Sequence, residues 1–305
     1  MRLAMGIAVA MRGADGASLY GRPDKARRQL AWWRSRGIEG VVLYDTAPDF
    51  YRTDPSHFAT IRQVAIDEGL EIAGFNCLRK SLFMPDLMAA DHLKCEHILA
   101  VCAVLKPAIV DMSVNVPIPT GLDPLQMAAR PLFRGEYASD EAYRVSAAYL
   151  KPFARRCADF GAQFSIELHD DGLQDTADGC LKLMRLIDEP NVGLNPDIGN
   201  WYRVPYQHRE GWRSQVAKMA PHTNYWEVKN YKRILVPDDQ RAYSWNVDLD
   251  EGDLDFREAA VMLWQSGFRG WVCNEGGNGD HVRSTMKYIE YMRWILDEWV
   301  PVAVG

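Results

Sequence analysis

No stretch of about 18 consecutive apolar residues occurs in the chain, so no segment reads as a membrane span. Positive charge is scarce as well: 35 Lys and Arg stand against 41 Asp and Glu, a net charge of −6. That balance gives no electrostatic footprint for nucleic acid or for an anionic membrane surface. The six cysteines, Cys77, Cys95, Cys102, Cys157, Cys180 and Cys273, form no CxxC pair and lie within apolar segments. Buried free thiols in a reducing compartment are expected, and with them a cytoplasmic protein. Glycine-rich phosphate loops are missing too. With neither GxGxxG nor GxxxxGKS/T present, an open doubly wound nucleotide-binding sheet loses its support. The opening MRLAMGIAVAMRG places a charge before a short apolar run, but no small-residue cleavage site follows. It reads as a first strand rather than a leader.

What the sequence does hold is ordinary globular composition, 48% hydrophobic and 25% charged, with a regular alternation of elements. Helical spacing over Asp24–Arg36 stops at Gly37, and the β-rich IEGVVLY at 38–44 follows. A helix over Ser56–Glu68, with Ser56 as N-cap and Gly69 as stop, leads to a strand over Leu70–Asn76. Helix Asp86–Leu105 and strand Ala108–Val114 come next. The stretch at about 115–138 breaks the rhythm with four Pro and two Gly. It contains Met127 and Phe133 and reads as a long loop, plausible as a lid. Beyond it the sequence predicts a helix from Ser139 to Phe160 and a fifth strand ending at Glu167. Helices over Thr176–Asp188, Gly211–Ala220, Phe256–Gln265 and His281–Glu298 then alternate with strands over Val192–Asn195, Thr223–Val228 and Gly270–Asn274. Eight strand–helix repeats with short connections specify a closed parallel sheet. The expected fold is a single α/β domain over residues 1–305, a (β/α)8 TIM barrel.

Four of these strands close on an acid. SIELHDD ends at Glu167 and its neighbours, VGLNPD at Asp197, YWEVKN carries Glu227, and WVCNEGG ends at Glu275. In such a barrel the C-terminal strand ends carry the active site, so adjacent strands would bring these carboxylates to one point. They would repel one another and raise one another's pKa unless a cation neutralised them. A divalent metal held by Glu167, Asp197, Glu227 and Glu275 is the expectation. All-oxygen ligation puts Mn²⁺ first, with Mg²⁺, Co²⁺ and Zn²⁺ as alternatives. The plainer alternative for any one acid is an ion pair or a helix cap. His169, two residues beyond Glu167, would share its side of the extended chain and could carry a proton. Lys229 and Arg233 follow strand seven, and Arg203 and His208 follow strand six, where cations could hold substrate oxygens. Asn76, Asp111 and Asn115 are weaker polar candidates on the opposite wall. Trp201, Tyr202, Trp226, Tyr231 and Trp245 could stack on the faces of a ligand, although each alone is more often core. His57, His92 and His97 read as structural, His222 is undecided, and His281 begins the last helix.

The wording of the C-terminal half resembles the sugar-phosphate isomerase/epimerase superfamily, the xylose isomerase-like barrels. The matching pieces are IELHDDG at 166–172, VGLNPDIGN at 192–200, WEVKN at 226–230, EGDLDF at 251–256 and GFRGWVCNEGG at 267–277. The layout fits over the whole chain, and the motifs are specific from about residue 140 onward. The resemblance implies a metal held by a Glu, an Asp, a His and a Glu from four strands, which fall here on Glu167, Asp197, Glu227 and Glu275. Two positions depart from the pattern. Asn200 stands where Asp-x-x-His is common, and Glu227 stands where the strand-seven His is usual. Arg233 fits an Arg that ketose epimerases place six residues after that His.

The implied activity is a metal-dependent carbohydrate isomerase or epimerase working by proton abstraction next to a carbonyl. Glu167 and Glu275 would be acid and base, assisted by His169 and Lys229. Asn200, Arg233, Trp226, Asn76 and His208 would bind substrate. The alternative is a sugar lyase, such as an inosose dehydratase or the catalytic subunit of a C-glycoside deglycosidase. Phosphodiester cleavage, as in the endonuclease IV branch, fits poorly with the acidic balance. A metal-free sugar-binding protein on the same barrel is a further alternative. The expected partner is a small-molecule carbohydrate, with neither nucleic acid nor membrane. Assembly into a homo-oligomer, or with a small partner subunit, would follow family habit.

Overall fold

The computed structural model of the protein describes residues 1–6, 23–46, 49–121, 123, 130–237, 241–277 and 279–304. Its strands in chain order are β1 (Arg2–Gly6), β2 (Gly40–Tyr44), β3 (Glu71–Lys80), β4 (Ile109–Val114), β5 (Gln163–Glu167), β6 (Val192–Asn195), β7 (Tyr225–Val228), β8 (Asn230–Val236), β9 (Arg241–Val247) and β10 (Trp271–Asn274). The helices are α1 (Pro23–Ser35), α2 (Phe58–Asp67), α3 (Pro85–Leu105), α4 (Asp140–Asp159), α5 (Ala177–Ile187), α6 (Ile198–Tyr202), α7 (Trp212–Met219), α8 (Phe256–Gln265), α9 (His281–Trp294) and α10 (Val300–Val304). Eight strands pair in the order β6-β5-β4-β3-β2-β1-β10-β7, each neighbouring pair parallel. The remaining joint, between β6 and β7, is bridged at Leu194 and Thr223, and the Asn224 amide donates to Leu194 O at 3.2 Å. The expected (β/α)8 barrel is the fold. No helix among the described residues is long and apolar enough to cross a membrane.

The side-chain period of two divides every barrel strand between two environments. Leu3, Val41, Phe75, Val110, Phe164, Ile166, Leu194, Trp226 and Val272 belong to the large core shared with the surrounding helices. Their neighbours Ala4, Val42, Tyr44, Ala73, Ile109, Tyr225, Trp271 and Cys273 form a second, smaller cluster that fills the lumen. Above this plug the lumen turns polar, with Asn76, Asp111, Ser165, Glu167, Asn195 and Glu227 all buried. Part of this layer is mutually hydrogen-bonded, Asn195 donating to Asp111 and to Glu227, while Asn76 Oδ1, Asp111 Oδ1 and Ser165 Oγ have no partner. All six cysteines are buried and unpaired, as their apolar settings predict.

Local differences from the expected boundaries have identifiable causes. Asp54, not Ser56, is the first cap: its carboxylate accepts from the Ser56 amide at 2.8 Å and opens a 3₁₀ turn, Pro55–His57, that runs into α2. Strand β3 runs four residues past Asn76 because the Lys80 ammonium, buried against Asp45 at 2.6 Å, anchors its end. The last helix ends as α at Trp294 and continues as a π turn over Ile295–Trp299 before α10. Two elements escaped the sequence reading altogether: the short α6 directly after Asp197, and the antiparallel hairpin β8–β9 inserted between β7 and α8. Met127, together with residues 122, 124–126, 128 and 129 of the expected 115–138 loop, lies outside the described residues. The loop's far end is tied down, Arg130 pairing with Asp171 at 2.7 Å and the Phe133 amide donating to the same carboxylate at 2.7 Å.

Trp226 does not belong to the substrate pocket. One residue out of phase with Glu227, it points outward into the helix layer, fully buried, with its ring 5.9 Å from that of Phe256 on α8. Trp226→Ala should therefore lower unfolding stability by about 3–5 kcal/mol, the range for truncating a large core aromatic. Denaturant titration checks this, and a variant as stable as the parent would contradict the placement.

Candidate active site

Asp111, Ser165, Asn195, Glu167 and Glu227 lie on lumen-facing positions of β4 to β7, and Glu275 directly follows β10. Ligand oxygens of Glu167, Asp197, Glu227 and Glu275 all fall within 4.8 Å of one another. The four acids singled out in the sequence are thus brought to one point. Glu167, Asp197 and Glu227 are almost fully buried, while Glu275 keeps 18% of its side chain exposed. This buried acidic cluster could bind a divalent metal.

The carboxylates differ in how they are held. Lys229, two residues after Glu227 and itself buried, places its ammonium 2.8 Å from Asp197 Oδ2 and in contact with Glu275. Gly199 makes room for it, since a Cβ there would lie 2.5 Å from Lys229 Cγ. Asp197 also caps α6, its Oδ1 accepting from the amides of Gly199 at 3.0 Å and Asn200 at 3.2 Å. The Asn200 amide group then donates to Glu167 Oε1 at 2.6 Å and Asp197 Oδ2 at 3.1 Å. Glu227 is held from below. Asn76 and the hydroxyls of Tyr44 and Tyr225 reach its Oε1, the latter two at 3.3 and 3.4 Å, while Asn195 donates to Oε2 at 3.0 Å.

Burial, then the neighbouring carboxylates, pushes Glu167 and Glu227 well above the usual carboxylate range. Asp111, 3.2 Å from Asn195, is raised in the same way. Burial pushes Asp197 up to about 6 against the pull of Lys229. Glu275 goes the other way: burial would raise it, but the Lys229 ammonium outweighs that and holds it below its ordinary value. Oδ1 of Asp111 and Oδ1 of Asn200 are buried acceptors with no hydrogen-bond partner. Unpartnered oxygens beside crowded carboxylates suit a hard cation, so the donor set fits one.

His169 sits at the edge of the cluster. Its Nδ1 lies 2.8 Å from Asp170 O, and Arg203 Nη2 lies 3.4 Å from its Nε2. Because the guanidinium can only donate, Nε2 is the acceptor and Nδ1 carries the proton. Burial lowers His169 to about 4, so the ring is neutral near pH 7. Arg203 also grips Asp170 at 2.5 Å, and Asp171, in the left-handed region at φ 65°, takes Arg79 at 2.6 Å. Together these ion pairs fix the loop after β5.

Other expected substrate ligands sit elsewhere or are already engaged. Asn76 is committed to Glu227 and Asn200 to Glu167 and Asp197, so both hold carboxylates. Arg233, on β8, donates to Tyr206 O at 2.5 Å and lies over the Tyr202 ring. His208 stacks on Trp201 with ring centroids 4.3 Å apart and bonds Trp201 O at 2.8 Å, in a side cavity away from the acids. Tyr44, Tyr225 and Asn195 were missed by the sequence reading. Tyr225 and Asn195 were within reach, because counting by two from Glu227, or along β6, puts both in the lumen.

These features define a (β/α)8 barrel with an acidic centre at the C-terminal ends of its strands. Residues 30–297 match the xylose isomerase-like TIM barrel family, and the chain belongs to it. No curated protein matches the sequence significantly. Among solved structures, a xylose isomerase-like TIM barrel protein from Mycobacterium smegmatis in complex with magnesium superposes with a TM-score of 0.80 at 21% identity, covering 98% of this chain and 97% of that one. A D-psicose 3-epimerase crystallised in the presence of D-fructose gives 0.68 at 14% identity, with 97% and 99% covered. The 3-keto-D-glucoside 4-epimerase of E. coli gives 0.67 at 12% identity, with 97% and 99% covered.

Burial lowers His208, like His169, to about 4. In the unfolded chain both return to about 6.5, so below that pH the unfolded state takes up protons that the folded state refuses. These two histidines therefore withdraw stability as pH drops from about 6.5 towards 4, against the gain that the raised carboxylates Glu167, Glu227 and Asp197 make as they take up protons. In an NMR titration both rings should still be neutral at about pH 5.5. A His169 or His208 resonance titrating near 6.5 would contradict the geometry.

Proposed function

We propose that the protein is a divalent-metal-dependent carbohydrate isomerase or epimerase that removes a proton next to a carbonyl. The reading rests on one observation: four carboxylates from four successive barrel strands share a point that also holds a buried ammonium. Membership of the family and similarity to two sugar epimerase structures support it. Glu167, Asp197, Glu227 and Glu275 would hold the cation, with Mn²⁺ favoured by the all-oxygen set and the other divalent ions as alternatives. Once bound, it supplies Lewis-acid polarisation of a substrate carbonyl and its neighbouring hydroxyl.

The chain's own groups do the rest. Glu167 and Glu275 approach from the two outer strands of the four, so they can address different faces of one substrate carbon. Glu275, kept ionised by Lys229, is suited to accept the proton, and Glu167, from the other side, to return one. Lys229 and His169 stand beside the oxygens on which enediolate charge would develop. Return to the opposite face gives epimerisation, return to the adjacent carbon gives isomerisation, and loss of a β-substituent gives elimination. The substrate is expected to be a small carbohydrate, turned over in the cytoplasm, by a homo-oligomer or with a small partner subunit.

Metal analysis of the purified protein should find about one divalent ion per chain, lost in the Glu167→Gln/Glu275→Gln double variant. Solvent deuterium should enter ketoses or 3-keto glycosides in the parent, and each single variant should slow that exchange by about 10²–10⁴-fold. Neither metal uptake after Mn²⁺ soaking nor any exchange would sink the proposal. Product analysis then separates epimerisation, isomerisation and elimination.

A further inference from the structure

A second cavity of about 390 Å³ opens outside the barrel mouth, between the N-terminal ends of α4 and α5 and the segment after α6. Its volume falls within the range of small-molecule sites. Two almost fully buried side chains line it without all their hydrogen bonds: Asp175 Oδ1, in a residue 3% exposed, and Trp201 Nε1, in a residue 5% exposed. Arg134 Nε, on the same wall, is likewise buried and unpartnered. An apolar interior leaves so many polar atoms unmatched only at a cost, so their clustering at one cavity points to a ligand.

The chemistry of those atoms selects what enters. Charges at the rim are already spent on one another: Lys182 pairs with Asp140 at 2.7 Å, Arg134 with Glu136, and Lys218 with Asp178 and Glu210 at 2.9 Å each. A free anion would meet Asp175, and a free cation would meet Arg134. The unmatched set is instead one acceptor and two N–H donors, beside the flat stack of Trp201 on His208. A neutral ring bearing several hydroxyls answers all of this, because each hydroxyl donates and accepts at once. Burial also pushes Asp175 up to about 7, which favours a neutral partner over a cationic one.

We infer that this cavity is a second carbohydrate-binding site, in which Asp175 accepts from a sugar hydroxyl and Trp201 donates to one. The chain links it to the acidic centre: Asp175 ends the loop that begins at Glu167, and Trp201 is the neighbour of Asn200 on α6. The occupant is either a free monosaccharide or the far ring of a longer glycoside whose reacting sugar lies over the carboxylates.

Calorimetric titration with methyl β-D-glucopyranoside and with lactose tests it, in the parent and in the Glu167→Gln/Glu275→Gln double variant. Binding that survives in the double variant belongs to the cavity, so the test stands even where the enolisation chemistry fails. Trp201→Phe, which keeps the aromatic face and removes only the donor, and Asp175→Asn should each weaken that binding by about tenfold. Thermal melts confirm that both variants fold. Equal affinity for the two probes assigns a free monosaccharide, and a lactose preference abolished by Trp201→Phe assigns the far ring. No binding of either probe, or binding indifferent to both substitutions, overturns the inference.

Discussion

Mutual repulsion among buried carboxylates is the constraint around which the barrel mouth is arranged. Two such charges about 4 Å apart cost roughly 4 kcal/mol even at an effective dielectric of about 20, and here four share one space. The structure answers with an ammonium between two of them, a helix start on a third oxygen, and neutral amides and phenols on the rest. None of these partners is at the surface. Strand alternation delivers those from the barrel wall, setting Tyr225 below Glu227 and Asn195 beside it, and α6 delivers Asn200 and the Gly199 amide. The apolar plug beneath and the polar layer above are thus consequences of one period-two pattern read around a closed sheet.

The same arrangement makes the carboxylates unequal. Glu275 and Asp197 touch the cation of the chain itself; Glu167 and Glu227 touch only dipoles. Acids that share a site but not an environment can hold different protonation states, and that inequality is what proton transfer through one centre requires. The loops reinforce it: Arg203 on Asp170 and Arg79 on Asp171 keep the β5 loop, and with it His169, from drifting.

Much of this was legible beforehand. Eight apolar runs separated by helical spacing specify the barrel, and acids at the ends of four of them specify a centre. The barrel also explains why Trp226 misleads: an aromatic beside a catalytic-looking acid is on the opposite face of its strand. The hairpin β8–β9 was not legible because its pattern does not match its burial: YKRILV has no alternation, and the alternating Tyr243 and Trp245 of RAYSWNV stay well exposed, as do Ile234 and Leu235. Long-range partners were the other blind spot. Nothing local says that Asn76 will meet Glu227 across 151 residues, or that Lys80 will be buried against Asp45.

Gly199 carries a consequence for how such a protein can diversify. Its missing side chain is the space in which Lys229 lies, with the lysine's own carbonyl 2.6 Å from where a Cβ would be. Trimming the lysine would clear the first of these contacts but not the second, because the carbonyl belongs to the backbone and stays whatever residue stands at 229. Of the two positions only the lysine is open to change: position 199 must stay a glycine for as long as the chain after β7 runs where it does.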